Sequence, residues 1–219
     1  MAVQARRRNQ AALIAAGLLL AACAGGPPAP DWQANAHASL DSFEAAYLRG
    51  DDRVAKLEFA RARAEASRTG RPELLARIEL ARCALEVASL EFDDCPGYRA
   101  LEPDASAAER AYATYLSGRW QELDPALLAA AHRAAVTGGS TALAAIDDPL
   151  ARLVAAGALL RAGRIEPQGI GAAIDAASAN GWRRPLLAWL ELQAGRAAAA
   201  GDHDAEARIR RRIHVIVNP

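Results

Sequence analysis

Lysine is almost missing from this chain: Lys56 is the only one among 26 basic residues, and the rest are arginine. That preference reads as genomic bias rather than ligand chemistry. The 26 basic residues meet 26 acidic ones, so neither sign is in excess. Three of the arginines, Arg6, Arg7 and Arg8, stand together near the start, and without them 23 basic residues face 26 acidic ones. A surface so nearly neutral gives phosphate backbones nothing to attract them, which removes nucleic acid from the expected partners. Aromatic residues are scarce as well, at 5%, and the 52% of apolar residues is mainly alanine and leucine. With the β-branched and aromatic strand formers sparse, a sheet-based fold is disfavoured. Alanine and leucine lose little on entering a helix, and they predict an all-α fold.

Signatures of catalysis are also lacking. His37, His132, His203 and His214 are scattered along the sequence. No His-Glu-x-x-His pair offers zinc ligands on one helix face, and no Gly-x-Ser-x-Gly elbow presents a serine. The carboxylate pairs Asp51-Asp52, Asp93-Asp94 and Asp147-Asp148 all fall at turns or helix starts, where capping and the helix dipole account for them. No catalytic, cofactor-binding or metal-ligating residue is therefore assigned. Carboxylates that only the fold brings together, as in glycan cleavage, leave no mark in a sequence.

What is present begins at the N-terminus. Arg6 to Arg8 form a basic region, Ala11 to Ala22 an apolar run, and Leu20-Ala21-Ala22-Cys23 closes it. The run falls short of the roughly 20 apolar residues that cross a bilayer, and small residues before the cysteine suit a cleavage site. The ending resembles the lipobox of bacterial lipoproteins. The resemblance implies that residues 1–22 are a signal peptide and that Cys23 becomes the first mature residue, carrying a diacylglycerol thioether and an amide-linked acyl chain such as palmitate. Ala24, where inner-membrane lipoproteins of the enteric type often carry aspartate, implies export to the outer membrane, facing the periplasm. Residues 23–30 then form a tether, AGGPPAP after the cysteine, flexible at its glycines and stiff at its prolines. At about 3.1 Å per residue it reaches roughly 20 Å.

Lipidation of Cys23 leaves Cys83 and Cys95 as an even pair in an oxidising compartment. The first falls late in a predicted helix and the second opens the turn Cys95-Pro96-Gly97, so the chain can fold back to disulfide distance. The alternatives are two separate buried thiols, or a metal site that lacks a histidine at ligand spacing.

From Asp31, a plausible N-cap, the periodicity is helical. Trp32, Ala36, Leu40, Phe43 and Tyr47 form one stripe before Gly50. Asp51 and Asp52 open a second helix with Ala55, Phe59, Ala62 and Ala66 on one face, ending at Thr69-Gly70. Pro72 and Glu73 open a third, whose stripe is Leu74, Ile78, Ala81, Leu85 and Ala88. The run Ala46-Tyr47-Leu48-Arg49-Gly50-Asp51, followed by Ala55, Phe59 and Ala62, resembles the middle of a tetratricopeptide repeat. It departs from that pattern in a connection one residue short and in Glu44, where the family prefers a small residue. Gly50 and Gly118 lie about two 34-residue periods apart.

Asp93 to Asp104 reads as the longest irregular stretch of the mature part. Beyond it, Ser106 caps a helix to Gly118, and Pro125 to Ala135 reads as another with Leu127, Leu128 and Ala131 inward. Val136 to Thr141, VTGGST, reads as a connecting loop; its glycines invite a phosphate-cup reading, but no preceding strand or Gly-Lys-Ser/Thr ending supports one. Leu150, Leu153, Val154, Gly157 and Leu160 form a further stripe in which Gly157 implies close approach of a neighbour, as does Gly169-Ile170-Gly171. Helices through Ile170 and Ile174 to Asn180-Gly181, and through Trp182 and Trp189 to about Gly195, precede a last one carrying Arg208, Arg210, Arg211 and Arg212. That basic cluster is either a patch for acidic lipid or a partner, or a solvated face suited to the helix dipole.

The sequence thus predicts one domain, residues 31–219, of roughly eight to ten helices stacked as antiparallel hairpins, an irregular tetratricopeptide-like solenoid. The function it implies is a lipid-anchored envelope lipoprotein that binds another protein or a peptide as a scaffold or assembly factor. An enzyme or small-ligand binder acting on a wall or envelope component is the alternative. A closed polar pocket with shifted carboxylates or histidines would favour the enzyme, and an open apolar groove the scaffold.

Overall fold

A two-residue turn starts the fold. Helix α1 (Asp31–Arg49) ends where Gly50 takes a left-handed conformation, and the amides of Gly50 and Asp51 return to the carbonyls of Tyr47 and Ala46. Asp51 then caps α2 (Asp52–Ser67) by accepting from the Val54 amide. The two helices fold back on each other because the facing positions are small: Ala46, Ala55, Ala62 and Ala66 are all buried. Phe43 and Phe59, with ring centroids 5.0 Å apart, fill the space between them.

The computed structural model describes residues 30–218, so the expected signal peptide, Cys23 and most of the expected tether lie outside the described residues. Within them are ten α-helices and no strand, as expected of an all-α chain. After the first hairpin come α3 (Pro72–Ala88), the short α4 (Pro96–Arg99), α5 (Ala107–Leu116) and α6 (Ala130–Gly138). Four helices follow: α7 (Pro149–Arg161), α8 (Pro167–Ala179), α9 (Arg183–Ala199) and α10 (His203–Val217). None of the described helices is long and apolar enough to cross a membrane.

Helix α3 holds the middle of the structure. It packs against α2, α5 and α7, and its buried residues lie on more than one face: Ala76, Ile78, Leu80, Cys83, Leu85 and Val87 among them. The predicted single stripe of α3 is therefore too narrow a reading. At the crossing with α7, Gly157 lets the backbones meet; a β-carbon there would stand 2.1 Å from the Val87 carbonyl oxygen. Helices α7 to α10 pack in sequence, each against the next, and α9 also reaches back to α1. There Arg184 donates to the Tyr47 carbonyl (2.8 Å) and to Glu91 (3.0 Å), pairs with Asp52, and lies over the Tyr47 ring. Trp189 is fully buried, and its indole N–H donates to the Ala88 carbonyl at 3.0 Å. The chain's late helices thus close over the turn that began it.

Several boundaries differ from the sequence reading. Pro30, not Asp31, occupies the first cap, and Asp31 lies in the first turn, where its charge suits the dipole. The irregular stretch after Asp93 contains α4 and a 3₁₀ turn at Glu102–Asp104. Pro125–Leu127 is a separate 3₁₀ turn, because Leu128 and Ala129 are extended before α6 begins, and Leu127 faces outward. The Gly-Gly-Ser-Thr run is not a loop: α6 continues through Gly138 and a 3₁₀ helix follows over Gly139–Ala145. Ser140 is buried there, its hydroxyl accepting from the Glu166 amide, so the run is occupied in joining α6 to α8. Helix α9 passes Gly195 without a break and ends at Ala199. Of the Gly169-Ile170-Gly171 pair, Gly169 is closely approached by Ile165 and Ser140, while Gly171 faces open space. Ser106 caps α5 as expected, in a reciprocal capping box with Glu109.

Candidate functional site

The stripe Leu74, Ile78, Ala81 and Leu85 on α3 has a use beyond packing. It forms the floor of a trough, walled by α1 on one side and by α5, α6 and the start of α7 on the other. Three adjoining cavities of about 470, 380 and 470 Å³ make it up. The first lies beside Trp32 and Ile78 and shares His37 and Leu40 with the second. The second shares Ala81, Tyr112 and His132 with the third, which ends at Leu127 and Leu128. Small residues at Ala81 and Ala84 keep the floor low, and Leu40, Leu85 and Leu150 make the middle apolar.

Polar groups enter this apolar trough at two places. Arg77 on α3 donates to Glu109 on α5 at 2.5 Å, so these two charges neutralise each other. In the middle cavity stand Asp41 and Glu44 from α1, Asp148 from the cap of α7, and two histidines. His37 lies 3.7 Å from Asp41. Glu44 makes no ion pair among the described residues; burial raises its pKa, and the neighbouring charges of Asp148 and Asp41 raise it further. Burial also pushes His132 down to about 4, which keeps its ring neutral near pH 7 despite the opposing pull of Asp148. Its Nδ1 is buried without a hydrogen-bond partner, and its ring lies against Tyr112 and Tyr115 at 5.2 and 5.0 Å. Of the four histidines scattered along the sequence, His37 and His132 line the same cavity, whereas His203 and His214 are exposed on α10.

Cys83 and Cys95 come together as expected, with α-carbons 5.8 Å apart. The return depends on the end of α3. Leu90 is left-handed, and the amides of Leu90 and Glu91 go back to Val87 and Glu86 in the pattern seen at Gly50. Beneath the cysteine turn lies Glu79, a carboxylate only 1% exposed, held by Arg63 from α2 and Arg82 from α3. Gly97 rests on it so closely that a β-carbon would meet the carboxylate oxygen at 2.1 Å. Cys83, Asp93 and Cys95 are the only described His, Cys, Asp or Glu residues that converge to ligand spacing. Pairing of the two sulfurs leaves one ligand, and a metal site needs at least three. Thiol labelling of the denatured, unreduced protein should find both cysteines blocked. Changing both to alanine should cost about 2–4 kcal/mol in denaturant melts, and two freely labelled thiols would refute the bond.

Arg82 also pairs with Glu86, whose other oxygen is buried without a partner. Burial pushes Glu86 up to about 7; Arg82 opposes the shift, while Asp93 and Glu91 add to it. An acid with a raised folded pKa binds its proton more tightly in the native state. Its contribution to stability is whole below its unfolded value of 4.5 and is lost as pH rises through about 7. His132 works the other way: its contribution is whole above 6.5 and is lost as pH falls through about 4. Between about pH 4.5 and 6.5 the two oppose each other. Glu86→Gln should therefore make the protein gain stability as pH rises across that window, and should leave it more stable than the parent above pH 7. Urea midpoints taken across the range test this, and parallel curves for parent and variant would exclude Glu86 as the titrating group.

Glu44 and Asp148 were reachable from sequence only in part. Glu44 stood out as a charge at a position the tetratricopeptide pattern keeps small, and Asp148 as a cap. Their meeting with His132 is made by packing between α1, α6 and α7, which no local spacing encodes. Comparison of the chain with known protein families, with curated proteins and with solved structures finds no match to any of them.

Proposed function

We propose that this chain is a lipid-anchored envelope lipoprotein, attached through Cys23 to the outer membrane and facing the periplasm. In this reading its helical domain is a tetratricopeptide-like stack of hairpins that serves as a protein-interaction scaffold or assembly factor. The observation that carries the reading is the trough along α3: three adjoining cavities over an apolar floor kept low at Ala81 and Ala84, the shape of a groove that takes a segment of another protein. The antiparallel α1–α2 hairpin and the serial packing of α7 to α10 support the stacked-hairpin part of it.

Cross-linking in intact cells, followed by capture of a C-terminally tagged copy, tests the proposal. A single dominant envelope protein should be recovered, and Ala81→Trp, which fills the trough floor, should remove it. Cys23→Ser should release the protein from membranes; continued membrane association would sink the anchor. The second reading, a small-ligand binder or enzyme acting on an envelope component, draws on Glu44 and His132, two groups with shifted pKa that share the middle cavity with Asp148. Recovery of the lipoprotein alone, under conditions that hold a known envelope complex together, would favour that reading.

A further inference from the structure

The middle of the trough has a charge without a counter-charge. Asp41 and Glu44 from α1 and Asp148 from α7 line one cavity, whose lining holds no arginine or lysine. Arg77, which lines the adjoining cavities, is held by Glu109. His132 is neutral near pH 7, and His37 reaches only Asp41. Glu44 is half-buried, and every neighbouring charge that acts on it is negative. A carboxylate taken partly out of water beside two others is costly to keep ionised, and an opposite charge placed beside it removes that cost.

The shape of the cavity limits what can bring that charge. The carboxylates do not converge to metal-ligand spacing, since among the described residues only Cys83, Asp93 and Cys95 do so. A small cation therefore finds no cage, whereas a long side chain that enters from above can reach across the acidic group. The same cavity is also lined by leucines, Leu40, Leu85 and Leu150, which call for apolar side chains beside the cation. From this complementarity we propose that the partner segment seated in the trough is an amphipathic peptide of another envelope protein, with an apolar face carrying one arginine or lysine that pairs with Glu44. The proposal rests on the scaffold reading and adds to it the chemistry of the partner.

Two labelled helical peptides test it, identical in their leucine face and differing at one central flanking position, arginine in one and glutamine in the other. Binding to the full chain in nanodiscs of neutral phosphatidylcholine is read by fluorescence anisotropy, with empty nanodiscs as the blank. The arginine peptide should bind about tenfold tighter, as expected for one charge-assisted pair in a partly dry site. Glu44→Gln, which keeps the shape, should erase that difference, and Ala81→Trp should weaken both peptides. Equal binding of both peptides, lost on Ala81→Trp, would overturn the cationic partner and leave the trough reading standing. Absence of binding by either peptide, or binding indifferent to Ala81→Trp, would overturn both.

Discussion

Trp189→Ala should destabilise the protein by about 4 kcal/mol, and Trp189→Phe by roughly 1–2. The larger figure has two sources. A fully buried indole leaves a cavity that the surrounding helices fill only in part, which by itself places large-to-small changes of aromatic residues at about 3–5 kcal/mol. The second source is polar: the indole N–H satisfies the carbonyl of Ala88, the last residue of α3. Helix ends carry carbonyls with no partner inside the helix, and burying one unpaired adds its own desolvation cost. Phenylalanine keeps most of the apolar volume and loses only the hydrogen bond, so the two variants separate packing from pairing. Urea titration provides the measure. A loss under about 1 kcal/mol for the alanine variant would mean that α9 is not docked on α3 as described.

Gly157→Ala should cost about 3 kcal/mol, at the upper part of the range for overpacking, while Gly171→Ala should stabilise by roughly 0.5–1 kcal/mol. Both glycines sit inside helices, and alanine is the better helix former at each. The opposite signs come from what the new methyl meets. At position 157 it would stand 2.1 Å from the Val87 oxygen and 2.9 Å from a Val87 methyl, so α3 and α7 must move apart along a buried crossing. At position 171 it meets nothing within 4 Å. Thermal melts of the two single variants decide the matter. A neutral or stabilising Gly157→Ala would show that the α3–α7 contact is looser than described.

Gly157 also shows how far the sequence could be read. A glycine inside an apolar helical stripe implies a close neighbour, and that inference holds; which helix approaches is set by a contact between elements some 70 residues apart in the chain, and periodicity carries no such information. The same limit applies to Glu79. Placed between Ile78 and Leu80 on α3, it reads as the polar side of an amphipathic helix, but α2 and the cysteine turn cover that side and the carboxylate is buried with two arginines. Caps were more legible. Asp51, Ser106 and Asp148 each accept from a first-turn amide, because the short polar side chain and the following helix are adjacent in sequence, whereas Asp31 falls one residue inside its helix. Leu90 was not: its left-handed conformation copies a glycine's role at the end of α3, and nothing in its side chain announces it. For the trough, the floor stripe on α3 was visible as a stripe, while the cavities that open beside it between α1 and α5 were not.

The clasp of Arg184 on Tyr47, Asp52 and Glu91 has a consequence for how the molecule is made. The bond to Tyr47 joins residues 137 positions apart, and that of Trp189 to Ala88 spans 101. A chain delivered from its N-terminus displays the first hairpin and α3 well before α9 arrives to cover them. Helical proteins built from neighbouring contacts fold quickly, but closure over such separations is slower. During that interval the end of α3 is an exposed apolar surface with an unpaired carbonyl. Any cut or stop before Trp182 would make that exposure permanent, leaving a fragment open to proteases.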